Sequence, residues 1–475
     1  MINRLKNTTL ILIIFILLSF IWASPILAVN DSSDVNINEV NTKSASCLLM
    51  DAKSGKILYA KNAYDKMYPA STTKLMTAIL ALENCQTTDV ATVSHNAIFS
   101  IPVGYAHANL KEGEQLTVEQ LLNVLLIPSA NDAAIVLAEH ISGSTDEFAK
   151  LMNEKAKELG CKNTNFVNPN GIHDKNHYSC AYDLALIGQY AMKFSDIMRI
   201  AMIRQYTLPT TNKYTKTDRI FNATNVLINN ESMNKYYYPY ATGLKTGYTG
   251  NSGYCIVATA KKDNMELIAV ILKANSIAER FSDCKTLFDY GFEHYTYKTL
   301  QSSGNIVKTI EISNATKETK QLDVSVKDDI TALLSSDMKL EDLEPTIELD
   351  SDLKAPIAEN KVIGKISYSI DGEIYSSDLV ADTSVIPSSF EVIIFRILLV
   401  FLILYIIYRL LGHTSKKKPS KKNRSNNLKG YKIQSNQKST KRKNKYSKFG
   451  NLDEDIHKIH SGTGEFRFTQ MHDYL

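Results

Sequence analysis

A run of twenty mostly apolar residues near the carboxyl end divides this chain into two parts with different surroundings. Val392 to Leu411 contains only two charged residues, Arg396 and Arg409. Twenty helical residues extend about 30 Å, the thickness of the hydrocarbon core of a bilayer. Six Lys and Arg residues follow between positions 416 and 424, and such residues favour the cytoplasmic side. The pattern predicts a transmembrane helix over 390–411. A helix lying in the membrane interface and a buried core helix are the alternatives.

The amino end has the features of an export signal. Arg4 and Lys6 precede an apolar run from Leu10 to Phe20, and Ala28 closes a candidate cleavage site. This order is typical of a secretory signal peptide, with an uncleaved anchor helix as the alternative. Both interpretations export the residues that follow. We therefore predict a signal peptide over 1–28, a flexible polar leader over 29–43, and a single-pass cell-membrane protein with an extracytoplasmic body.

The net charge of +4 conceals an uneven distribution. Residues 413–475 contain 16 Lys and Arg against 5 Asp and Glu, whereas the rest of the chain contains 38 against 45. A basic tail on an acidic body argues against nucleic acid as a partner of that body. We expect residues 412–475 to form a disordered cytoplasmic tail that can lie against anionic membrane lipid.

Cysteine and histidine spacing gives little support for metal or disulfide chemistry. The six cysteines all lie in the exported body, which is large enough to fold without disulfides, so buried thiols are expected. There is no Cys-x-x-Cys sequence to form a zinc knuckle or a redox site. His173 and His177 are four residues apart, but a loop or substrate contact is preferred to a metal pair. We predict neither a metal nor a cofactor.

The order of the predicted elements indicates an α+β fold. Two strands flank a turn at 51–55, helices dominate the middle, and a hairpin turns at 261–264. The 3.6-residue apolar pattern and the cap residues predict a helix that begins at Pro69. They predict further helices over 117–127, 131–141, 145–159 and 181–192. Strands at both ends with helices between them predict helices packed on an antiparallel sheet, over residues 44–298.

The sequence pattern changes after this first domain. Short alternating segments and an Asp371-Gly372 hairpin signal predict a small all-β domain over 299–387. It contains no cluster of residues typical of catalysis. We expect it to act as a spacer or a docking module.

Three short motifs carry the chemistry: Ser71–Lys74 as Ser-x-x-Lys, Ser129–Asn131 as Ser-x-Asn, and Lys245–Gly247 as Lys-Thr-Gly. Each one alone recurs by chance, as a helix start or an ordinary turn. Together, in this order and behind an export signal, they are specific.

The residue types fit nucleophilic catalysis. A serine hydroxyl must lose its proton as it attacks. Lys74 lies one helical turn from Ser71 on the same face, and burial beside a second cation would favour its neutral amine. Lys245 would supply that field and attract a substrate carboxylate.

The other roles follow from the same chemistry. Ser129 can pass a proton to the leaving amine. Asn131 can hold Lys74 and bind the substrate amide, and the backbone N–H groups of Ser71 and Tyr248 can form an oxyanion hole. We predict Ser71, Lys74 and Ser129 as catalytic residues. The predicted substrate-binding residues are Asn131, Lys245, Thr246, Gly247 and Tyr248.

The segments that hold these motifs resemble the low-molecular-mass D-alanyl-D-alanine carboxypeptidases, which are penicillin-binding proteins. The similar segments are 49–59, 69–77, 129–133, 243–249 and 252–260. The resemblance covers about 44–295, and more weakly 300–385.

The resemblance implies a penicillin-binding/β-lactamase-like fold for the first domain. It also implies an acyl-enzyme on Ser71, a peptidoglycan stem peptide as substrate, β-lactams as inhibitors, and a role in cell-wall maturation. Arg280 matches an arginine with which the family binds the substrate carboxylate. Family anchors are usually short amphipathic helices, so the apolar segment at 392–411 departs from the pattern.

Three other functions are compatible with parts of this pattern. A class A β-lactamase would need a glutamate to activate the deacylating water, and is usually a single soluble domain. An endopeptidase acting on cross-linked peptides would carry the same motifs. A non-catalytic wall-binding protein would keep the cleft without turnover, but the intact motif residues argue against it.

Overall fold

The computed structural model describes residues 40–216, 219–231 and 234–411. The predicted signal peptide, residues 29–39 of the leader and the predicted tail lie outside these residues. Those parts of the sequence analysis stay predictions.

The first part of the chain is built on a central sheet with helices on both faces. Its elements are β1 (Ser46–Asp51), β2 (Ile57–Lys61), α1 (Lys74–Asn84), β3 (Val90–Thr92), α2 (His95–Phe99), β4 (Gln115–Thr117), α3 (Val118–Leu126), α4 (Asn131–Ser142), α5 (Thr145–Glu158), α6 (Ala181–Ala191), α7 (Ser195–Ala201), β5 (Gln205–Leu208), β6 (Arg219–Asn222), β7 (Ala241–Thr249), β8 (Gly253–Lys262), β9 (Met265–Ala274) and α8 (Ile277–His294). Single 3₁₀ turns precede α1 at Ala70–Thr73 and β7 at Val226–Ile228.

The central sheet has the strand order β2-β1-β9-β8-β7, and every neighbouring pair is antiparallel. Side chains alternate between its two faces. In β9, Ile268, Val270 and Leu272 join the core formed with α1, α3, α4 and α6. Leu267 and Ile271 join the opposite core, which α8 covers. Burial of both faces explains why these strands read as nearly continuous apolar runs.

Local signals set the helix boundaries near the site. Thr117 and Gln120 form a capping box at the start of α3, which stabilises that end. Helix α3 ends just before Pro128, which has no backbone N–H to continue the helical hydrogen bonds. The chain restarts as α4 at Asn131. Ser129 of the Ser-x-Asn motif therefore lies in the short link between the two helices, and Asn131 is the first residue of α4.

Residues 295–386 form a β domain with its own core. Its strands are β10 (Tyr295–Gln301), β11 (Ile306–Glu311), β12 (Gln321–Val326), β13 (Ile330–Ser335), β14 (Thr346–Leu349), β15 (Val362–Ile370) and β16 (Glu373–Ala381), with a 3₁₀ turn at Leu340–Asp342. They pair as a β10-β13 ribbon and a sheet ordered β11-β12-β16-β15-β14. The β15–β16 turn has positive φ at Asp371 and Gly372, 51° and 83°. This suits a two-residue hairpin loop. The predicted α+β fold with an all-β second domain is confirmed.

Helix α9 (Ser389–Leu411) follows the β domain. Its segment Val392–Leu411 has a mean hydropathy of 2.5 and is long and apolar enough, by length and composition, to cross a membrane. None of this segment is buried. A buried core helix is therefore not supported.

Candidate active site

Ser71 lies on a strained turn at the amino end of α1. Ala70 has φ of 50°, in the left-handed region that side chains with a Cβ rarely adopt. Thr72 anchors the turn, because its hydroxyl donates to Pro69 O at 2.7 Å. Strain of this kind persists only where the surrounding structure enforces it, and it often marks functional sites. The turn leaves Ser71 partly exposed while Thr72 and Thr73 are buried.

Lys74 is fully buried directly behind Ser71. Its Nζ lies 2.8 Å from Ser71 Oγ, 2.8 Å from Asn131 Oδ1 and 2.7 Å from the backbone oxygen of Asn170. Burial, and then the nearby charge of Lys245, hold the pKa of Lys74 well below its ordinary value, against a smaller opposing effect of Asp132. A lysine in this setting favours its neutral form.

Across the site from Ser71, Ser129 lies in the link between α3 and α4, and Asn131 is the first residue of α4. Ser129 has φ of 70° and is 7% exposed. Asn131 donates its side-chain N–H to Ala106 O at 2.8 Å while its oxygen faces Lys74. Its orientation is therefore fixed from both ends.

Asp132 is a supporting residue that the sequence analysis did not identify. Its buried carboxylate accepts hydrogen bonds from the backbone N–H groups of Ala108 and Leu110. Burial raises the pKa of Asp132, and these bonds oppose that effect. The contacts hold the segment 103–110, part of which forms one wall of the cleft, against the start of α4.

Strand β7 forms the other wall and carries the Lys-Thr-Gly motif. Lys245 is fully buried, and burial together with the Arg280 charge lowers its pKa to about 7. Thr246 donates its hydroxyl to Thr224 Oγ1 at 2.6 Å. A Cβ on Gly247 would lie 2.9 Å from the Ser71 backbone nitrogen and 3.0 Å from Pro69 O. Glycine thus lets the strand approach the Ser71 turn closely.

Arg280 reaches the same strand from α8. Its Nη1 donates to Gly247 O at 3.3 Å and to Cys255 O at 3.4 Å. Its Nε is buried and has no hydrogen-bond partner among the described residues. Burial lowers the pKa of Arg280. Tyr248 is 54% exposed, and its ring lies 4.3 Å from that of Tyr254.

A cleft of about 780 Å³ runs between the two walls. Seven of the nine predicted site residues line it, and the other two, Lys74 and Lys245, are buried beneath it. The seven are Ser71, Ser129, Asn131, Thr246, Gly247, Tyr248 and Arg280. None of the described residues that line the cleft is Asp or Glu. Apart from Arg280, the lining side chains are neutral, and several of them are aromatic or aliphatic.

The loop Asn168–His177 packs under Ser71, a role that the sequence analysis missed. A Cβ on Gly171, whose φ is 81°, would lie 1.9 Å from Ala70 O. Thr77 donates to Pro169 O at 2.6 Å, and Asn170 O contacts Lys74. The loop is therefore clamped along the first turns of α1.

His177 belongs to that clamp. Val167 N–H donates to its Nδ1 at 3.1 Å, and its Nε2 lies 2.9 Å from Thr73 Oγ1. Burial lowers the pKa of His177 to about 4, so the ring is neutral at neutral pH and Nε2 carries the proton. Both ring nitrogens are therefore occupied, one by Val167 and the other by Thr73 of the turn before α1. This supports the loop interpretation over a His173–His177 metal pair.

Comparison with known proteins agrees with this geometry. Residues 32–276 match the family model described as D-alanyl-D-alanine carboxypeptidase, and residues 295–386 match the penicillin-binding protein 5 C-terminal domain. The D-alanyl-D-alanine carboxypeptidase DacF of Bacillus subtilis is 33% identical over 349 residues, which cover 72% of this chain and 86% of that protein. The DacA enzyme of Haemophilus influenzae is 31% identical over 382 residues, 78% of this chain and 92% of its own.

Solved structures give the same result. Penicillin binding protein 5 from Haemophilus influenzae superposes with a TM-score of 0.56 at 29% identity, over 73% of this chain and 98% of that one. DacD from Francisella tularensis superposes with a TM-score of 0.56 at 27% identity, over 74% and 95%. The chain therefore belongs to the D-alanyl-D-alanine carboxypeptidase family and is a serine-type, penicillin-binding hydrolase of that family.

Proposed function

We propose that this enzyme removes the terminal D-Ala from peptidoglycan pentapeptides through an acyl-enzyme on Ser71. The observation that carries the proposal is the 2.8 Å approach of the buried Lys74 Nζ to Ser71 Oγ. A nucleophile and its base must lie within hydrogen-bond reach, and the base must be unprotonated to accept.

The surroundings of Lys74 support a basic role. Asn131 Oδ1 and Asn170 O can only accept hydrogen bonds, and both lie within 2.8 Å of Nζ. A neutral amine has two N–H groups and one lone pair. If the two N–H groups bond these oxygens, the lone pair is left for the Ser71 hydroxyl.

The reaction then proceeds in two balanced steps. Ser71 Oγ bonds to the carbonyl carbon of the penultimate D-Ala, and its proton passes to Lys74. The C–N bond breaks, and the leaving amine takes that proton through Ser129. In the second step water attacks the ester, Lys74 accepts its proton, and Ser71 leaves with a proton restored.

The walls of the cleft supply binding and charge stabilisation. The backbone N–H groups of Ser71 and Tyr248 are the proposed oxyanion donors. Lys245, Thr246 and Arg280 are the proposed partners of the terminal carboxylate, and Asn131 binds the substrate amide. The position of Arg280 in the cleft lining, next to Gly247 of the same strand as Lys245 and Thr246, supports this assignment.

A β-lactam presents the same acyl group and carboxylate, so we propose that penicillin acylates Ser71 as well. The β-lactamase alternative needs an acidic residue near the ester to activate water. The described cleft residues include no Asp or Glu, which favours a stable acyl-enzyme with penicillin.

The test uses the pentapeptide and a fluorescent penicillin. Mass spectrometry should show the loss of one alanine from a peptide ending in D-Ala-D-Ala. The wild type should be labelled by the penicillin, and Ser71→Ala should be neither active nor labelled. Equal labelling of both proteins would refute the role of Ser71. Cleavage only of cross-linked peptides would favour the endopeptidase.

We also propose that the catalytic body acts outside the membrane in cell-wall maturation, with one span near 392–411 and the tail inside. The support is the apolar segment followed by basic residues, which determine orientation. A cysteine at Ser439 in a cysteine-free variant should resist a membrane-impermeant thiol reagent in intact cells. Rapid labelling in unbroken cells would favour an interfacial helix with the tail outside. Ser439 lies outside the described residues.

A further inference from the structure

Away from the cleft, three side chains of different chemistry converge at the far ends of two site helices. They are Cys85, Asp89 and His140, and one ligand atom from each lies within 4.8 Å of the other two. Cys85 caps the carboxyl end of α1, and His140 lies in the last turn of α4. Asp89 lies in the segment between α1 and β3. Residues distant in sequence thus meet at one place on the surface.

The ligand atoms are available for a metal. All six cysteines, Cys85 among them, are free thiols. Cys85 is half-buried, whereas His140 is exposed. Asp89 Oδ2 accepts from the Gln86 backbone N–H at 2.8 Å, which fixes the carboxylate and leaves Oδ1. The backbone around this triad is also fixed, because Val118 N–H donates to Asp89 O at 2.8 Å.

The donor set suits one class of ion. A thiolate, an imidazole and a carboxylate together match zinc, whereas calcium and magnesium prefer oxygen ligands. Tetrahedral zinc bonds of about 2.0–2.3 Å place ligand atoms roughly 3.3–3.8 Å apart. The three ligand atoms lie within 4.8 Å of one another, so they would need to draw together by at most about 1.5 Å to bind the ion.

We propose that Cys85, Asp89 and His140 bind a Zn²⁺ ion, with water as the fourth ligand. The ion would join the carboxyl ends of α1 and α4. The amino ends of the same helices carry Ser71 with Lys74, and Asn131. Helices of eleven and twelve residues place the ion about 16–18 Å from the reacting groups. Its role is to hold the helix pair together, and it takes no part in the acylation chemistry. This site was not predicted, because Cys85 and His140 are 55 positions apart and share no motif.

The test is a titration of the full chain, reduced and in detergent micelles, with Co²⁺ as a spectroscopic substitute for Zn²⁺. We expect a near-ultraviolet thiolate-to-cobalt band, together with the visible bands of tetrahedral cobalt, that saturates at one equivalent and disappears when Zn²⁺ is added. Histidines in residues 412–475 can also bind cobalt, but that segment contains no cysteine and cannot produce the thiolate band.

Matched variants identify the ligands. Cys85→Ser should lose the band, whereas Cys161→Ser, which removes the other half-buried thiol, should keep it. His140→Ala and Asp89→Asn should weaken binding about tenfold or more. Because His140 is exposed, that variant remains informative even if Cys85→Ser fails to fold. The absence of a thiolate band in the wild type, its persistence in Cys85→Ser, or an unchanged titration of His140→Ala would each overturn the proposal.

Discussion

The catalytic domain and the β domain differ in whether they bury charged side chains. Around the cleft, Lys74, Lys245, Arg280 and Asp132 are all buried. Among residues 295–386, all of which the structure describes, no charged side chain is buried, and the buried side chains with a hydroxyl are Ser325, Ser377 and Tyr368. Burying a charge is costly. The difference between the two domains therefore indicates that the catalytic domain keeps buried charged side chains at the cleft because catalysis requires them.

Backbone conformation shows the same contrast. In the catalytic domain, left-handed residues with a Cβ include Ala70 and Ser129, both beside the nucleophile. In the β domain they are Asn314, Asn360 and Asp371, residue types that tolerate this region well. Strain at Ala70 and Ser129 must be offset by the packing around them. In the β domain the positive φ angles simply follow turn chemistry.

The strongest way to break this comparison is to remove the buried base. Lys74→Ala should slow acylation of Ser71 by penicillin about 10²- to 10⁴-fold, the usual contribution of a general base. The measurement is single-turnover labelling with fluorescent penicillin. Near-wild-type acylation in a folded Lys74→Ala protein would mean that another group accepts the Ser71 proton.

A pair of glycine substitutions separates site geometry from stability. Gly247→Ala should slow acylation about 100-fold, since its Cβ would press on the Ser71 backbone nitrogen. In the β domain, Gly364→Ala places a Cβ 2.4 Å from Glu348 O. It should destabilise folding by about 1–3 kcal/mol and leave the acylation rate unchanged. Denaturant melts and labelling rates measure the two effects. Slow acylation in a folded Gly364→Ala protein would show that packing in the β domain affects the site.

The sequence predicted much of this site because its motifs act over short distances. Lys74 follows Ser71 by one helical turn, and Ser129 and Asn131 are two residues apart. The β8–β9 hairpin was also predictable, from two β-rich runs joined by the polar turn at 261–264. The prediction that the three motifs meet in one cleft rested on the known motif set and the family resemblance. The apolar periodicity that predicts helices and strands does not show it.

The parts that no motif shows depend on tertiary contacts. Arg280 was assigned only by resemblance, since its contact with Gly247 O depends on how α8 packs against the sheet. Asn170 contributes a backbone oxygen to Lys74, and a backbone oxygen gives no side-chain signal in a sequence. The Asn168–Gly171 run did indicate a loop, but Gly171 was not interpreted as a point of close approach. Helix α8 and the short α2 and α7 were not predicted either.

The next prediction divides the work of the two buried lysines. Lys245→Ala should weaken turnover of a peptide with a free terminal carboxylate about 10- to 100-fold, the effect expected for a charged hydrogen bond. A peptide with that carboxylate esterified should be affected much less. Lys74→Ala should impair both substrates alike. Steady-state kcat/KM gives the comparison, and an equal penalty of esterification in both variants would remove the proposed division.

The pH profile sharpens the same division. Lys74 must be neutral to act as a base, so kcat/KM should fall as the pH drops through its lowered pKa. Lys245 must be charged to attract a carboxylate, so kcat/KM should also fall as the pH rises through about 7. The basic limb should disappear with the esterified peptide. A basic limb that survives esterification would assign it to a group other than Lys245.

The smallest effect is expected from removing a solvent-exposed charged side chain of the β domain. Lys320 and Glu311 form an ion pair whose side chains are 48% and 59% exposed. Solvent screens such a pair, and holding two long side chains in place costs entropy. Lys320→Ala should therefore change the free energy of unfolding by less than about 0.5 kcal/mol and leave acylation unchanged. Urea melts of the variant beside wild type give the first quantity, and penicillin labelling gives the second. A loss of several kcal/mol would show that exposed charges of the β domain contribute substantially to its stability. The contrast with the buried charges around the cleft would then be smaller than their exposure suggests.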